Sequence, residues 1–277
     1  MEKTMIKKYL SFAIVLALVA MAGVLGLDYL KGVRDNAVYA TQLAKIKEIS
    51  KIKKIDDFHQ RTDTLRNYIN KNSRHDGDEE FYASWRDKTK LAQNFLDYIE
   101  KRRITKPPME CATRSALMGA ILDSEGYRVR ALDVYAPRED NTLMSHALLD
   151  VYNPKTKAWE TQDPEYNVYW KNVKTGKRAS MIEGAIDKNI QPCNKNGCGW
   201  NLHTSNDNNT SKLKPFLTFV TAIDRTADER ITFYAPKIDP KTVYDYNGKG
   251  PYCSVLKKNC KDGFLESNAK NLERVKD

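Results

Sequence analysis

Over the first hundred or so residues, apolar positions recur with the period of a helix. Tyr9 to Leu27 is apolar throughout, nineteen residues without a charge, about the length of helix that spans a bilayer core. Residues 28–55 continue in a helical pattern that turns basic towards its end (AKIKEISKIKKIDDF). Over 57–72, Phe58, Leu65 and Tyr68 share one face of a second helix, and 73–79 reads as a loop. Phe81, Trp85, Leu91, Phe95 and Ile99 keep helical phase over 80–102. Pro107-Pro108 stops this run and suits the entry to a fourth helix, from about Glu110 to Ser124, with Gly126 at its C-terminal cap. Ala112, Ala116, Gly119 and Ala120 make the inner face of that helix small, so that it can lie close against a sheet.

The period then changes to two. Arg128–Tyr135 (RVRALDVY), Met144–Tyr152 (MSHALLDVY) and Lys157–Gln162 (KAWETQ) predict three strands. Asn153-Pro154-Lys155-Thr156 between the second and third reads as a turn. A hairpin centred between Pro154 and Lys155 makes His146 and Asp163 direct cross-strand neighbours on one face. Pro164 then ends the strand and leaves Asp163 at its edge. Beyond 175 the chain becomes irregular and polar, with Asn, Lys and Gly crowding 187–214. Phe216–Ile223 and Glu229–Tyr234 read as two further strands. Helices followed by hairpin-linked strands give an α+β class.

Composition adds a direction to this order. The net charge is +10, with 41% apolar and 30% charged residues, so the chain has material for a core. The basic balance permits contact with anionic lipid or polysaccharide, and Lys45, Lys47, Lys51, Lys53 and Lys54 are placed to rest on headgroups if 28–55 lies along a membrane. The Lys and Arg residues are spread out, with no aromatic-interleaved basic motif, which argues against nucleic acid. Lys3, Lys7 and Lys8 precede the apolar run and favour a cytoplasmic N-terminus. The run reads as an uncleaved single-pass anchor in the inner membrane or, through Ala20-Met21-Ala22, as a cleaved signal peptide. Either sends the rest of the chain out of the cytoplasm, to a periplasmic or other extracytoplasmic position. Four of the five cysteines form two close pairs, Cys193/Cys198 and Cys253/Cys260. In an oxidising compartment they read as two short-loop disulfides. The alternative is a four-cysteine zinc site, to which the second spacing is poorly suited. Cys111 is left over.

Cys111 opens the fourth helix, where unpaired N–H groups and the helix dipole favour a thiolate; Glu110 opposes this unless it turns away. Taken singly, Cys111 reads as a buried structural cysteine and His146 as a core histidine. Together with Asp163 they provide what thiol acyl transfer needs: a nucleophile, a proton carrier and a carboxylate that orients the imidazole. The backbone N–H of Cys111 is a candidate oxyanion donor, with Trp85 or Gln93 as a second. His59, His75 and His203 have no recognisable partners in the sequence, and Tyr166, Tyr169 and Trp170 could contact sugar or peptide. No cofactor or metal is implied.

The stretches ECATRSALMGAILDSEGYRVRALDVY and SHALLDVYNPKTKAWETQDPEYN resemble the transglutaminase-like core family in the order Cys111, Gly126, His146, Trp159 and Asp163-Pro164. The resemblance covers about residues 80–170. It implies a papain-like fold, with Cys111 as nucleophile, His146 as general base and acid, and Asp163 as orienting carboxylate. The chain departs from the family at Met109, where glycine is common, and at Leu148, where tryptophan is common. Ala112 replaces the tryptophan of the vertebrate cross-linking members, which favours a cysteine peptidase or other amide hydrolase. The expected organisation is a cytoplasmic tip and anchor (1–27), a helical stalk (28–78), the core (79–175) and a disulfide-containing extension (176–277). The expected substrate is a protein or peptide of the cell envelope. The alternative is a catalytically idle binding or scaffold module of an envelope assembly handling polysaccharide or an adhesin.

Overall fold

A computed structural model describes residues 31–77, 81, 88–100, 105–137, 143–184, 187–204, 209–224 and 229–234. Helix α1 covers 31–49 among these. It is followed by a 3-10 turn at Ile52–Lys54 and by α2 (Phe58–Lys71), α3 (Lys88–Glu100) and α4 (Cys111–Asp123). Asp57 caps α2, its carboxylate accepting the N–H of Gln60. Beyond Asp123, Gly126 takes φ 84° and the Tyr127 N–H returns to the Leu122 carbonyl, the turn expected where glycine permits left-handed backbone.

The strands are β1 (Val129–Pro137), β2 (Leu143–Asn153), β3 (Ala158–Asp163), β4 (Val168–Asn172), β5 (Ile190–Asn194), β6 (Gly197–Cys198), β7 (Phe219–Asp224) and β8 (Glu229–Tyr234). A short helix α5 (Met181–Gly184) lies between β4 and β5. All eight strands form one antiparallel sheet in the order β6-β5-β4-β3-β2-β1-β7-β8. The molecule is α+β, as expected.

Alternate strand residues enter two hydrophobic clusters, one on each face. On the first face Val129, Leu149 and Val151 pack with Leu43 and Ile46 of α1, Leu65 and Ile69 of α2, Phe95 of α3, and Met118 and Ile121 of α4. On the second, Leu132, Val134 and Leu148 pack with Tyr166, Val168, Trp170, Met181, Leu213 and Phe216. From Gln42 to Lys71 the expected stalk is packed into the body, because Leu43 and Ile46 of α1 and Leu65 and Ile69 of α2 are buried with the helix that carries Cys111, whereas residues 31–38 are exposed. Ala179, Met181, Ile190, Leu213 and Phe216 likewise belong to the second cluster.

The polar stretch 187–214, read as irregular, holds β5, β6 and the start of a 3-10 helix at Thr210–Thr218. Ile190–Asn194 (IQPCN) is too short and too polar to show a strand period, and it is defined by pairing with β4, Trp170 opposite Pro192. The 3-10 helix also delays β7 to Phe219. Cys193 and Cys198 are joined as a disulfide across β5 and β6, which excludes them from a four-cysteine zinc site. Cys253 and Cys260 lie outside the described residues, as does the apolar run 9–27. Among the described residues no helix is long and apolar enough to cross a membrane.

Candidate active site

His146 lies on β2 opposite Val134 of β1, on the face of the second cluster. It is 5% exposed. The rings of Tyr166 and Phe216 hold it at centroid distances of 5.3 and 5.5 Å, Tyr166 edge-on. Asp163 ends β3, opposite Val168 and therefore on the same face. The ring Nε2 meets Asp163 Oδ2 at 2.8 Å.

The pair forms in a register that differs from the expected one. Pairing about Pro154 and Lys155 would place Leu149 opposite Glu160, whereas Leu149 faces Gln162. The connection is a four-residue loop, 154–157, closed by Asn153 opposite Ala158. The Asn153 side-chain oxygen accepts the N–H of Lys155, and Lys157 takes φ 56°. A shift of two positions preserves side-chain facing. His146 and Asp163 are consequently diagonal neighbours, still close enough to bond.

Asp163 is buried and its turn is held from three sides. Its Oδ1 accepts the N–H groups of Glu165 and Tyr166, each at 3.0 Å. Asn70 of α2 donates to the carbonyls of Pro164 and Glu165 at 2.9 and 2.8 Å. Arg114 of α4 reaches the Glu165 carboxylate at 2.9 Å.

Cys111 is the first residue of α4 and is partly buried. The β2–β3 ladder ends at Leu149–Gln162, so the stretch of β2 carrying His146 has no β3 partner. At that break Cys111, coming from the helical side, comes within interaction reach of His146. Nε2 is engaged by Asp163, which leaves Nδ1 for the thiol. Ser115 of α4 donates to the Ala147 carbonyl at 3.0 Å and fixes the helix against β2 beside His146. Glu110 has turned away: its carboxylate lies against Gly77 and makes no cap on α4. The three residues singled out from the sequence are thus brought together.

Charge follows this geometry. Burial opposes a charged imidazole, but Asp163 and Cys111 together hold the His146 pKa well above the ordinary histidine value. Burial lowers the pKa of Arg114, against the opposing pull of Glu165, Asp163 and Cys111. Burial, then Asp163, Glu165 and Cys111, raises the Tyr166 phenol. Arg114 and Tyr166 are both within electrostatic reach of the thiol. Tyr166 also lines an open cleft of ≈ 790 Å³ whose walls include Asn67, Asn167, Lys71, Lys195 and His203.

Three residues of this neighbourhood were not found from the sequence: Arg114, Glu165 and His75. His75 Nδ1 is 2.9 Å from Glu165 Oε1, and His59 Nε2 is 2.9 Å from Glu160 Oε2, so neither is a partnerless surface histidine. An acid two residues after Asp163 was visible as a pattern, but its histidine is 90 positions away in the sequence. Gln93 binds Gln42 and Asp97. Trp85 lies outside the described residues. Among the described residues no group of three or more His, Cys, Asp or Glu could hold a metal ion.

No family model matches the chain, and no curated protein matches it. A crystal structure of a TGase aligns at TM-score 0.29 and 16% identity, over 46% of this chain and 31% of that one. A crystal structure of Rad4-Rad23 bound to a 6-4 photoproduct UV lesion aligns at TM-score 0.37 and 10% identity, over 88% of this chain and 55% of that one. The chain thus covers less than two thirds of either. Likenesses this shallow assign no activity, and the site stands on its own geometry.

Proposed function

We propose that the chain is a transglutaminase-like thiol enzyme acting on amide bonds, with hydrolysis as the outcome. The observation that carries this reading is the buried His146 ring, hydrogen-bonded to Asp163 at 2.8 Å with Cys111 within its interaction reach. In the proposed reaction the Cys111 thiolate attacks the amide carbonyl and forms a tetrahedral adduct. Its oxyanion is placed at the start of α4, where no side chain caps the first N–H groups. His146 returns the proton to the leaving amine as the C–N bond breaks, leaving a thioester. His146 then takes a proton from water, which releases the acid and the free thiol. Asp163 keeps the imidazole in the orientation that presents its other nitrogen to sulfur.

Residues 9–27 are the proposed membrane anchor, with the body outside the cytoplasm and an envelope protein or peptide as substrate. The Cys193–Cys198 disulfide supports an oxidising compartment. Cys111, His146 and Asp163 gathered in one place have no evident use in an idle binding module.

An active ester tests the acyl-transfer step without knowledge of the substrate. Mixed with p-nitrophenyl acetate, the full chain should release a burst of about one equivalent of nitrophenolate before slow turnover. Cys111→Ala should abolish the burst and His146→Ala should slow it at least a hundredfold. A folded protein that acylates no faster than free cysteine would sink the proposal.

A further inference from the structure

His75 has the same kind of partner as His146, on the other side of one turn. Asp163 and Glu165 are two residues apart, and Asp163 Oδ1 accepts the Glu165 N–H at 3.0 Å. Each carboxylate holds a histidine: Asp163 holds His146 at 2.8 Å and Glu165 holds His75 at 2.9 Å. The two histidines differ in burial. The His146 side chain is 5% exposed and the His75 side chain 57%, while Glu165 beneath it is 3% exposed.

The segment carrying His75 is fastened to the residues that lead into α4. Arg74 N–H donates to the Pro107 carbonyl at 3.0 Å, and Met109 N–H donates to the Arg74 carbonyl at 2.9 Å. Two residues on is Cys111. From the same loop, Gly77 lies against the Glu110 carboxylate. A Cβ at Gly77 would come within 2.9 Å of Glu110 Oε1, so the loop and the start of α4 are in contact. With Nδ1 at Glu165, the His75 ring remains more than half exposed beside the start of α4.

A buried carboxylate beneath an exposed imidazole favours the protonated ring. Pairing with Glu165 raises the His75 pKa, burial and Arg114 oppose this, and Glu110 reinforces it. Among the described residues, the Arg74–Asp76 ion pair is exposed on the same loop. Glu165 is shared with the fully buried Arg114, and among the described residues Arg114 Nε and Nη2 and both Glu165 carboxylate oxygens meet no well-aligned hydrogen-bond partner, so Glu165 is held by ion pairing. The floor of this part of the site is thus a fixed Glu165–Arg114 pair, and His75 is its outward-facing member.

We propose that His75 is a substrate-binding residue of this site, receiving a carboxylate carried close to the amide that Cys111 attacks. The substrate class is therefore an acyl or peptidyl amide with an acidic group beside the reacting carbonyl. This rests on the reading of Cys111 as the reacting thiol, but its test does not need the thiol to be activated.

The test is the ratio of two alkylation rates at Cys111 in the full chain, for anionic iodoacetate and for neutral iodoacetamide. Both reagents attack the same sulfur, so thiol activation cancels in the ratio and only charge at the mouth remains. The ratio should fall about threefold in His75→Ala, the effect of one unit charge several ångströms away in a water-rich setting. His75→Lys should restore it. In the wild type the ratio should also decline as pH rises through the His75 titration, and the alanine variant should be flat there. His75→Gln, which keeps a hydrogen bond to Glu165 without the charge, is the second variant should alanine unfold the loop; it should match alanine. Ratios unchanged in both the alanine and glutamine variants would overturn the assignment. Slow alkylation by both reagents with an intact His75 effect would instead count against the Cys111–His146 couple.

Discussion

His146 is the residue on which the site turns, and its charge has a definite pH signature. Burial works against the imidazolium, and Asp163 and Cys111 outweigh it, so the folded-state pKa lies well above the ordinary value. A group with a raised folded pKa contributes stability that is fully present below its unfolded value, about pH 6.5, and is lost as pH rises through the folded value. In Asp163→Asn the main opposing force to burial is gone. The Hε1 resonance of His146, followed by NMR, should then titrate at a clearly lower pH than in the wild type. An unchanged midpoint would remove Asp163 as the partner. At this scale the sequence was informative about residues whose chemistry is unusual in isolation: an unpaired cysteine at a helix start, and an Asp-Pro ending a strand. It was silent on Arg114 and His75, because an arginine in a helix and a histidine in a loop are ordinary until Glu165 brings them together.

Among the elements, the β2–β3 hairpin matters most. Its expected register was displaced by two positions because Asn153 binds its own turn and Lys157 adopts left-handed backbone, which lengthens the loop. The site survived because a two-residue shift keeps facing; a one-residue shift would have put Asp163 beneath the other face. The hairpin is tied to its neighbours by a buried polar knot. Asp150 of β2 accepts from Arg130 of β1 at 2.9 and 2.6 Å, from Ser180 at 2.6 Å and from Thr161 of β3. The Arg130 guanidinium also stacks 4.3 Å from the Trp159 ring centre. Asp150→Ala leaves a buried cation unpaired and should lower the unfolding free energy by about 3–5 kcal/mol, measured by urea denaturation. A loss under about 1 kcal/mol would mean that the knot adds little beyond packing. The short strands β4 to β6 escaped the sequence because segments of five, five and two residues are too short to show a period. Their place comes from pairing partners far along the chain.

For the whole molecule, the helical layer and the sheet are one body in the described residues, and the site lies where their two cores meet. Cys111 belongs to the helical side and His146 to the other, and the end of the β2–β3 ladder is where they come together. That junction explains why α2, which reads in isolation as part of a stalk, belongs to the body: it supplies Asn70 and Arg66 to the turn that follows Asp163. Amphipathic helices look alike in sequence whether they cover a core or stand free, so this placement was not legible. The measurement that tests the Cys111–His146 couple most directly is the iodoacetamide alkylation rate of Cys111 in the full chain at pH 6, beside His146→Ala. An imidazole that holds the thiol proton should make the wild type react at least tenfold faster than the variant at that pH. Equal rates, with both proteins folded, would contradict the couple and leave the geometry without its proposed chemistry.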